Sequence, residues 1–240
     1  MRFIIMHKAD EASERGEHPG ADLIARVGRM IGALSRAGAL QGGEGLGPSS
    51  KGVRVRFACS TREVIPGPFD GENELPAGFS IVRTRTLDEA VEWATAEAAA
   101  LGDVELDIRP VNEAWDLGMS ERPAGLDTCR YMVLRKASAS TEAGVPLPAS
   151  RSTALSHLID ETTRTGVHLT RETMRPSARG RRYLNTSNGI SVFDGPFVES
   201  KELLGGYVIV NVASLDDTDR IARDYIAAVG PREVDVRELE

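Results

Sequence analysis

Residues 1–112 and 129–240 align in a single register, 128 residues apart and without a gap. They share roughly thirty identities, which is the mark of an internal repeat. Gly38 and Gly166, Pro48 and Pro176, Gly67 and Gly195, and Arg109 and Arg237 all stand at that step. A chain written twice must build one unit twice, and this constrains the fold more than any other property. The reading is a first repeat over 1–112, a joining segment over 113–128 with Pro123-Ala124-Gly125 as its flexible point, and a second repeat over 129–240.

Each repeat opens on a short apolar run, Phe3-Ile4-Ile5-Met6 or Tyr131-Met132-Val133-Leu134, which suits a buried strand. A polar loop and a helix follow. Leu23, Ile24, Val27, Ile31 and Leu34 recur at helical spacing before Gly38, and Leu155, Leu158 and Ile159 form the weaker copy before Gly166. Gly42 to Gly52 is glycine-rich but precedes the alternating strand Val53 to Phe57. A phosphate-cradling loop would lie between a strand and a helix, so a plain connection is the better reading. Strands over Gly78–Val82 and Gly206–Val210 lead to Thr86-Leu87-Asp88-Glu89, a capping box, and to its partner Ser214-Leu215-Asp216-Asp217. Second helices stop at Gly102 and Gly230, and closing strands cover 105–109 and 233–237.

The order is β-α-β-β-α-β, the ferredoxin-like arrangement, with both helices on one sheet face. The fold class expected is therefore α+β, with two tandem ferredoxin-like repeats covering each other's bare faces sheet to sheet.

Composition narrows the classes of function. A formal net charge of −7 argues against a nucleic-acid binder. No apolar run approaches the ~20 residues that span a bilayer, and the N-terminus begins on a strand pattern. No membrane partner is expected, and a cytoplasmic location is. Cys59 and Cys129 occupy unmatched repeat positions and make no disulfide framework. Only four basic residues are lysine, Lys8, Lys51, Lys136 and Lys201, an arginine bias that suggests a GC-rich bacterial source. No metal-ligand spacing or dinucleotide fingerprint occurs, so neither metal nor cofactor is expected.

Chemistry is sought where the copies carry charge. In the closing strands Leu106 and Ile108 face opposite to Glu105, Asp107 and Arg109, as Val234 and Val236 do to Glu233, Asp235 and Arg237. Such charges either form a structural salt-bridge network at the sheet interface or line a polar pocket. The stretch Phe193-Asp194-Gly195-Pro196-Phe197 is a turn by composition, and Glu199, Lys201, Glu202 and Tyr207 follow it. A lysine between glutamates beside a phenol supports proton transfer if it is desolvated. The first copy has Pro66, Gly71, Asn73 and Phe79 where the second has Asp194, Glu199, Lys201 and Tyr207, so the C-terminal copy is the better candidate. Glu44 and Glu172 are matched carboxylates that can aim at the same space, and His7 ends the first strand, either as a structural histidine or as a catalytic one.

Asp194-Gly195-Pro196-Phe197 with Glu199, Lys201-Glu202 and Gly206-Tyr207 resembles the DGPF branch of the YCII-related proteins. Gly43-Glu44-Gly45-Leu46, Pro48-Ser49-Ser50-Lys51-Gly52 and Ile108-Arg109-Pro110-Val111 resemble the same branch. The resemblance implies the dimeric α+β barrel superfamily, here with one chain supplying both halves, and it leaves room for a homodimer. It also implies a range of activities, since related proteins include a dehydrochlorinase, and the superfamily holds lactone isomerases, monooxygenases and heme-acting enzymes. The histidine–aspartate pair of compact YCII proteins does not transfer, because helix one of the first copy has no histidine.

Two functions stand. One is a cofactor-independent acid–base enzyme (lyase, isomerase or cyclase) on a small organic molecule. Asp194, Lys201, Glu202 and Tyr207 would do its chemistry, and Asp235, Arg237, Glu172, Glu44, His7, Asp107 and Arg109 would hold substrate. The other is a non-catalytic small-ligand-binding or regulatory module.

Overall fold

The computed structural model describes residues 1–69, 74–197, 199–230 and 232–240. Gly71, Asn73 and Val198 lie outside the described residues. The first half runs β1 (Arg2–Lys8), α1 (Glu11–Glu14), α2 (Ala21–Arg36), β2 (Leu40–Gly45), β3 (Val53–Ala58), β4 (Thr61–Pro66), β5 (Pro76–Thr84), α3 (Leu87–Leu101) and β6 (Val104–Pro110). The second half repeats the order as β7 (Cys129–Lys136), α4 (Ala139–Glu142), α5 (Ala149–Arg164), β8 (His168–Thr173), β9 (Arg181–Thr186), β10 (Gly189–Asp194), β11 (Leu204–Asn211), α6 (Thr218–Val229) and β12 (Glu233–Glu238).

Two six-stranded antiparallel sheets result, in the orders β10-β9-β12-β1-β11-β2 and β4-β3-β6-β7-β5-β8. They pack face to face, each with two helices on its outer side, as the α+β expectation requires. The alternation of strand residues sorts the core into three layers. Ile4, Met6, Tyr207 and Ile209 meet Phe79, Ile81, Met132 and Leu134 between the sheets. Phe3, Ile5, Val208 and Val234 face α2 and α6. Val55, Leu106, Ile108 and Val133 face α3 and α5. Successive strand side chains point to opposite faces, so a strand buried on both sides reads as a continuous apolar run, as β1 and β7 do.

The sheet boundary does not follow the repeat boundary. β1 lies between β11 and β12, and β7 lies between β5 and β6. Each ferredoxin-like sheet therefore takes its first strands from one half and its last strands from the other. The pairings are equivalent through the 128-residue step, with Arg2 opposite Asn211 and Arg130 opposite Arg83. The chain crosses between sheets at 46–52 and again at 174–180, where the bridges Leu46–Val111 and Met174–Leu239 fasten the crossings. The glycine-rich stretch at 42–52 thus ends β2 and makes the first crossing.

Local signals hold with one shift. Gly38 and Gly166 follow their helices with φ of 70° and 77°, the left-handed geometry that glycine adopts without strain. Thr86 caps α3 by accepting from the Glu89 amide at 3.2 Å. In the second copy α6 begins later, at Thr218, and the Ser214 hydroxyl bonds the Asp217 amide in the turn before it.

Candidate functional site

The charged strand residues form two equivalent networks at the ends of the inter-sheet layer. In the first, Arg54 holds Asp107 at 2.6 and 2.9 Å and Glu74 at 3.0 and 3.1 Å. Lys136 reaches Glu74, and Glu105 at 3.2 Å. In the second, Arg182 holds Asp235 at 2.7 and 3.0 Å, and Lys8 reaches the same carboxylate at 3.1 Å. The phenylalanine of each Gly-Pro-Phe turn covers its arginine, Phe69 over Arg54 and Phe197 over Arg182, both at 4.5 Å from the ring centre.

The matched aspartates titrate in opposite directions. Burial raises Asp107, helped by nearby Glu74 and against Arg54 and Lys136. Burial also acts on Asp235, but Lys8 and Arg182 outweigh it and hold the carboxyl low. The difference follows from a third carboxylate, because Glu74 is buried in its network whereas its counterpart Glu202 is exposed.

Arg109 and Arg237 pin the crossings. Arg109 donates to the carbonyls of Gly47 and Leu204 and pairs with Glu14 at 2.8 Å. Arg237 donates to the carbonyls of Arg175 and Pro76 and pairs with Glu142 at 3.2 Å. Glu14 and Glu142 also accept from Ser49 and Ser177 in the crossings. Those serines in turn accept from the amides of Phe69 and Phe197, at 3.3 and 2.9 Å. The turn glycines press on the same serines, and a Cβ on Gly67 or Gly195 would stand 1.9 or 1.8 Å from the Ser49 or Ser177 carbonyl oxygen. The Gly-Pro-Phe turn is thus a clasp on the chain crossing. Asp107, Asp235 and Arg109 have their bonding capacity taken up by protein partners, and Arg237 is held through its terminal nitrogens while its buried Nε has no hydrogen-bond partner among the described residues, which is close to the salt-bridge-network alternative.

The remaining expected residues fall into separate places. Asp194 ends β10 with its side chain 77% exposed and pairs with Arg181 at 2.9 Å. Lys201 is 72% exposed and, among the described residues, pairs with Glu199 at 3.4 Å. Neither approaches Tyr207, which is buried between the sheets with its ring 5.0 Å from Phe79. Tyr207 stands opposite Glu44 in the β11–β2 register, and Phe79 stands opposite Glu172 in the β5–β8 register. Burial pushes the Tyr207 phenol up, and Glu44 and Glu172 add to it. Arg130 clamps Glu44 and Glu113, and Arg2 pairs with Glu172.

His7 is the expected residue with a distinctive setting. It lies on the helix side of β1, where its Nδ1 is 2.6 Å from the Tyr225 hydroxyl on α6. Gly205 and Gly206 make room for the ring, since a Cβ on either would lie 2.8 Å from an imidazole atom. Burial lowers its pKa to about 4, against the pull of Asp10 and with a smaller contribution from Lys8, so the ring is neutral at pH 7. Burial alone raises Tyr225. The residue keeps partial exposure.

Sequence reasoning passed over Tyr225, yet a signal existed. Through the repeat His7 stands where Arg135 stands and Tyr225 where Glu97 stands, a place where the copies disagree in chemistry within a shared fold. Residues 130–239 match the family model of the YCII-related domain. Neither a search of curated proteins nor a search of solved structures finds a match.

Proposed function

We propose that the whole chain is a tandem of two YCII-related units of the DGPF type, and that it acts by acid–base chemistry on a small organic molecule. The observation that carries the reading is the His7–Tyr225 pair, a neutral imidazole with a short bond to a buried phenol and partial access to solvent. In the tautomer whose Nδ1–H donates to the phenol oxygen, Nε2 over Gly205 is the basic atom. It would take a proton from an activated carbon and return it elsewhere on the substrate or to a leaving group. A base held near pKa 4 suits an acidic C–H, such as one beside a carbonyl. No cofactor is required for that step, and Asp194, Lys201 and Glu202 have no part in it.

A test uses proton exchange. Small lactones, 2-oxo acids and chlorinated unsaturated acids would be incubated with the protein in deuterated water and followed by proton NMR. The expected result is deuterium incorporation into one class, lost about a hundredfold or more in His7→Asn and unchanged in Lys201→Ala. Equal rates in His7→Asn and the parent protein would overturn the assignment. The inter-sheet space, packed with apolar side chains, favours a second reading as a non-catalytic ligand-binding module. Saturable shifts near His7 without exchange would support it.

A further inference from the structure

Beneath α3 and α5 the fold buries a polar group of a different kind. Glu97 on α3 is 4% exposed and faces the sheet. Its Oε1 accepts from Ser80 on β5 at 3.0 Å and lies 3.6 Å from Nε of Arg171 on β8. Its Oε2 is buried without a hydrogen-bond partner among the described residues. Arg135 on β7 adds a second, half-buried guanidinium, which donates to the Ala77 carbonyl at 3.2 Å. Gly78 leaves it space, since a Cβ there would stand 3.3 Å from the guanidinium. His168, on the same strand as Arg171, stacks on Trp93 at 5.7 Å between ring centres.

The fold does not need these groups. The equivalent positions through the repeat are Tyr225 for Glu97, His7 for Arg135, Gly43 for Arg171, Val208 for Ser80 and Leu40 for His168. The other half closes the same helix–sheet space with apolar, small or neutral side chains. Both guanidiniums are half-buried, with Arg171 also donating to Thr173 at 3.1 Å, and setting them beside a buried carboxyl whose outer oxygen is unpaired is costly unless something completes the bonding.

We propose that the space between Glu97, Arg135 and Arg171 is a binding site for a small oxyanion, either a carboxylate or a tetrahedral oxyanion group. Two guanidiniums present planar forks to such oxygens. Burial raises the Glu97 pKa, against Arg171, Ser80 and Arg135, so Oε2 more readily carries a proton and donates it to the anion. The other charged or titratable groups acting on the site are His168, held low by burial and by Arg171, and Glu240, whose charge reaches Arg135. The site is separate from the His7–Tyr225 pair.

The test follows the arginine Nε–H resonances and the unfolding temperature while sodium sulfate or sodium acetate is added, with total ionic strength held by sodium chloride. Saturable shifts at Arg135 and Arg171 are expected with at least one anion. Response to sulfate alone assigns a tetrahedral group and response to acetate alone a carboxylate, and both outcomes support the site. Arg171→Met should weaken the apparent Kd at least about tenfold. Affinity should fall as pH rises and the Glu97 carboxylate forms, and Glu97→Gln should bind with that pH dependence flattened. The absence of saturable shifts with both anions, or an unchanged response in Arg171→Met, overturns the proposal. If Arg171→Met fails to fold, identical pH profiles for the parent protein and Glu97→Gln overturn it instead.

Discussion

At the scale of single residues, what a side chain does here depends on its depth. His7 has its folded pKa depressed to about 4 from an ordinary 6.5, so the folded state resists the proton that the unfolded chain accepts. Its stabilising contribution is complete above pH 6.5 and is lost as pH falls toward 4. About 2–3 kcal/mol should be gone at pH 4.5. Urea unfolding of the parent protein and His7→Asn at pH 7.5 and pH 4.5 measures the difference, and the variant should lack this component. Lys201 is the opposite case. Exposed and paired with Glu199, it should tolerate Lys201→Ala within about 0.5 kcal/mol in the same assay. Gly195→Ala should cost about 1–3 kcal/mol in urea, because its Cβ would meet the Ser177 carbonyl, which is backbone and cannot rotate away.

At the scale of elements, the repeat identities mark the networks. Lys8 and Lys136, Arg54 and Arg182, Asp107 and Asp235, Arg109 and Arg237, Glu14 and Glu142, and Ser49 and Ser177 are all matched, and all belong to the networks and the clasps. The alternation in β6 and β12 made the charged face legible, while its depth was not. A strand pattern gives the side on which a residue lies but not what covers that side. Asp107→Ala would leave Arg54 and Lys136 buried with less compensation, and about 3–5 kcal/mol should be lost. Glu202→Ala, at the exposed member of the other network, should cost under about 0.5 kcal/mol. Both are read from denaturant midpoints, and the Asp107→Ala loss should persist in high salt because buried pairs are poorly screened.

At the scale of the whole molecule, the crossings at 46–52 and 174–180 make each sheet a joint product of both halves. Residues 1–112 alone carry β1 and β2 without the β11 and β12 they pair with. Expressed as a monomer, that fragment should show no cooperative urea transition, whereas the intact chain should lose far-UV and near-UV signals at one midpoint. A fragment of 1–112 unfolding cooperatively as a monomer would contradict the shared sheets. β6 and β7 adjoin because a chain that leaves one strand and returns beside it antiparallel needs only a connecting loop, which 111–128 provides.

By itself the sequence determined the module. The 128-residue register, the apolar opening strands, the glycine stops and the alternating closing strands specify an α+β unit written twice, because each of these signals is local. Tertiary structure decided the rest. Strand exchange between the halves, the clasp made by the Gly-Pro-Phe turns and the pairing of His7 with Tyr225 join residues 20 to 218 positions apart. No local pattern encodes such distances. Two similar halves also offer every strand two equivalent partners, so pairing within or between them cannot be read from the repeat, and the packed chain makes the choice.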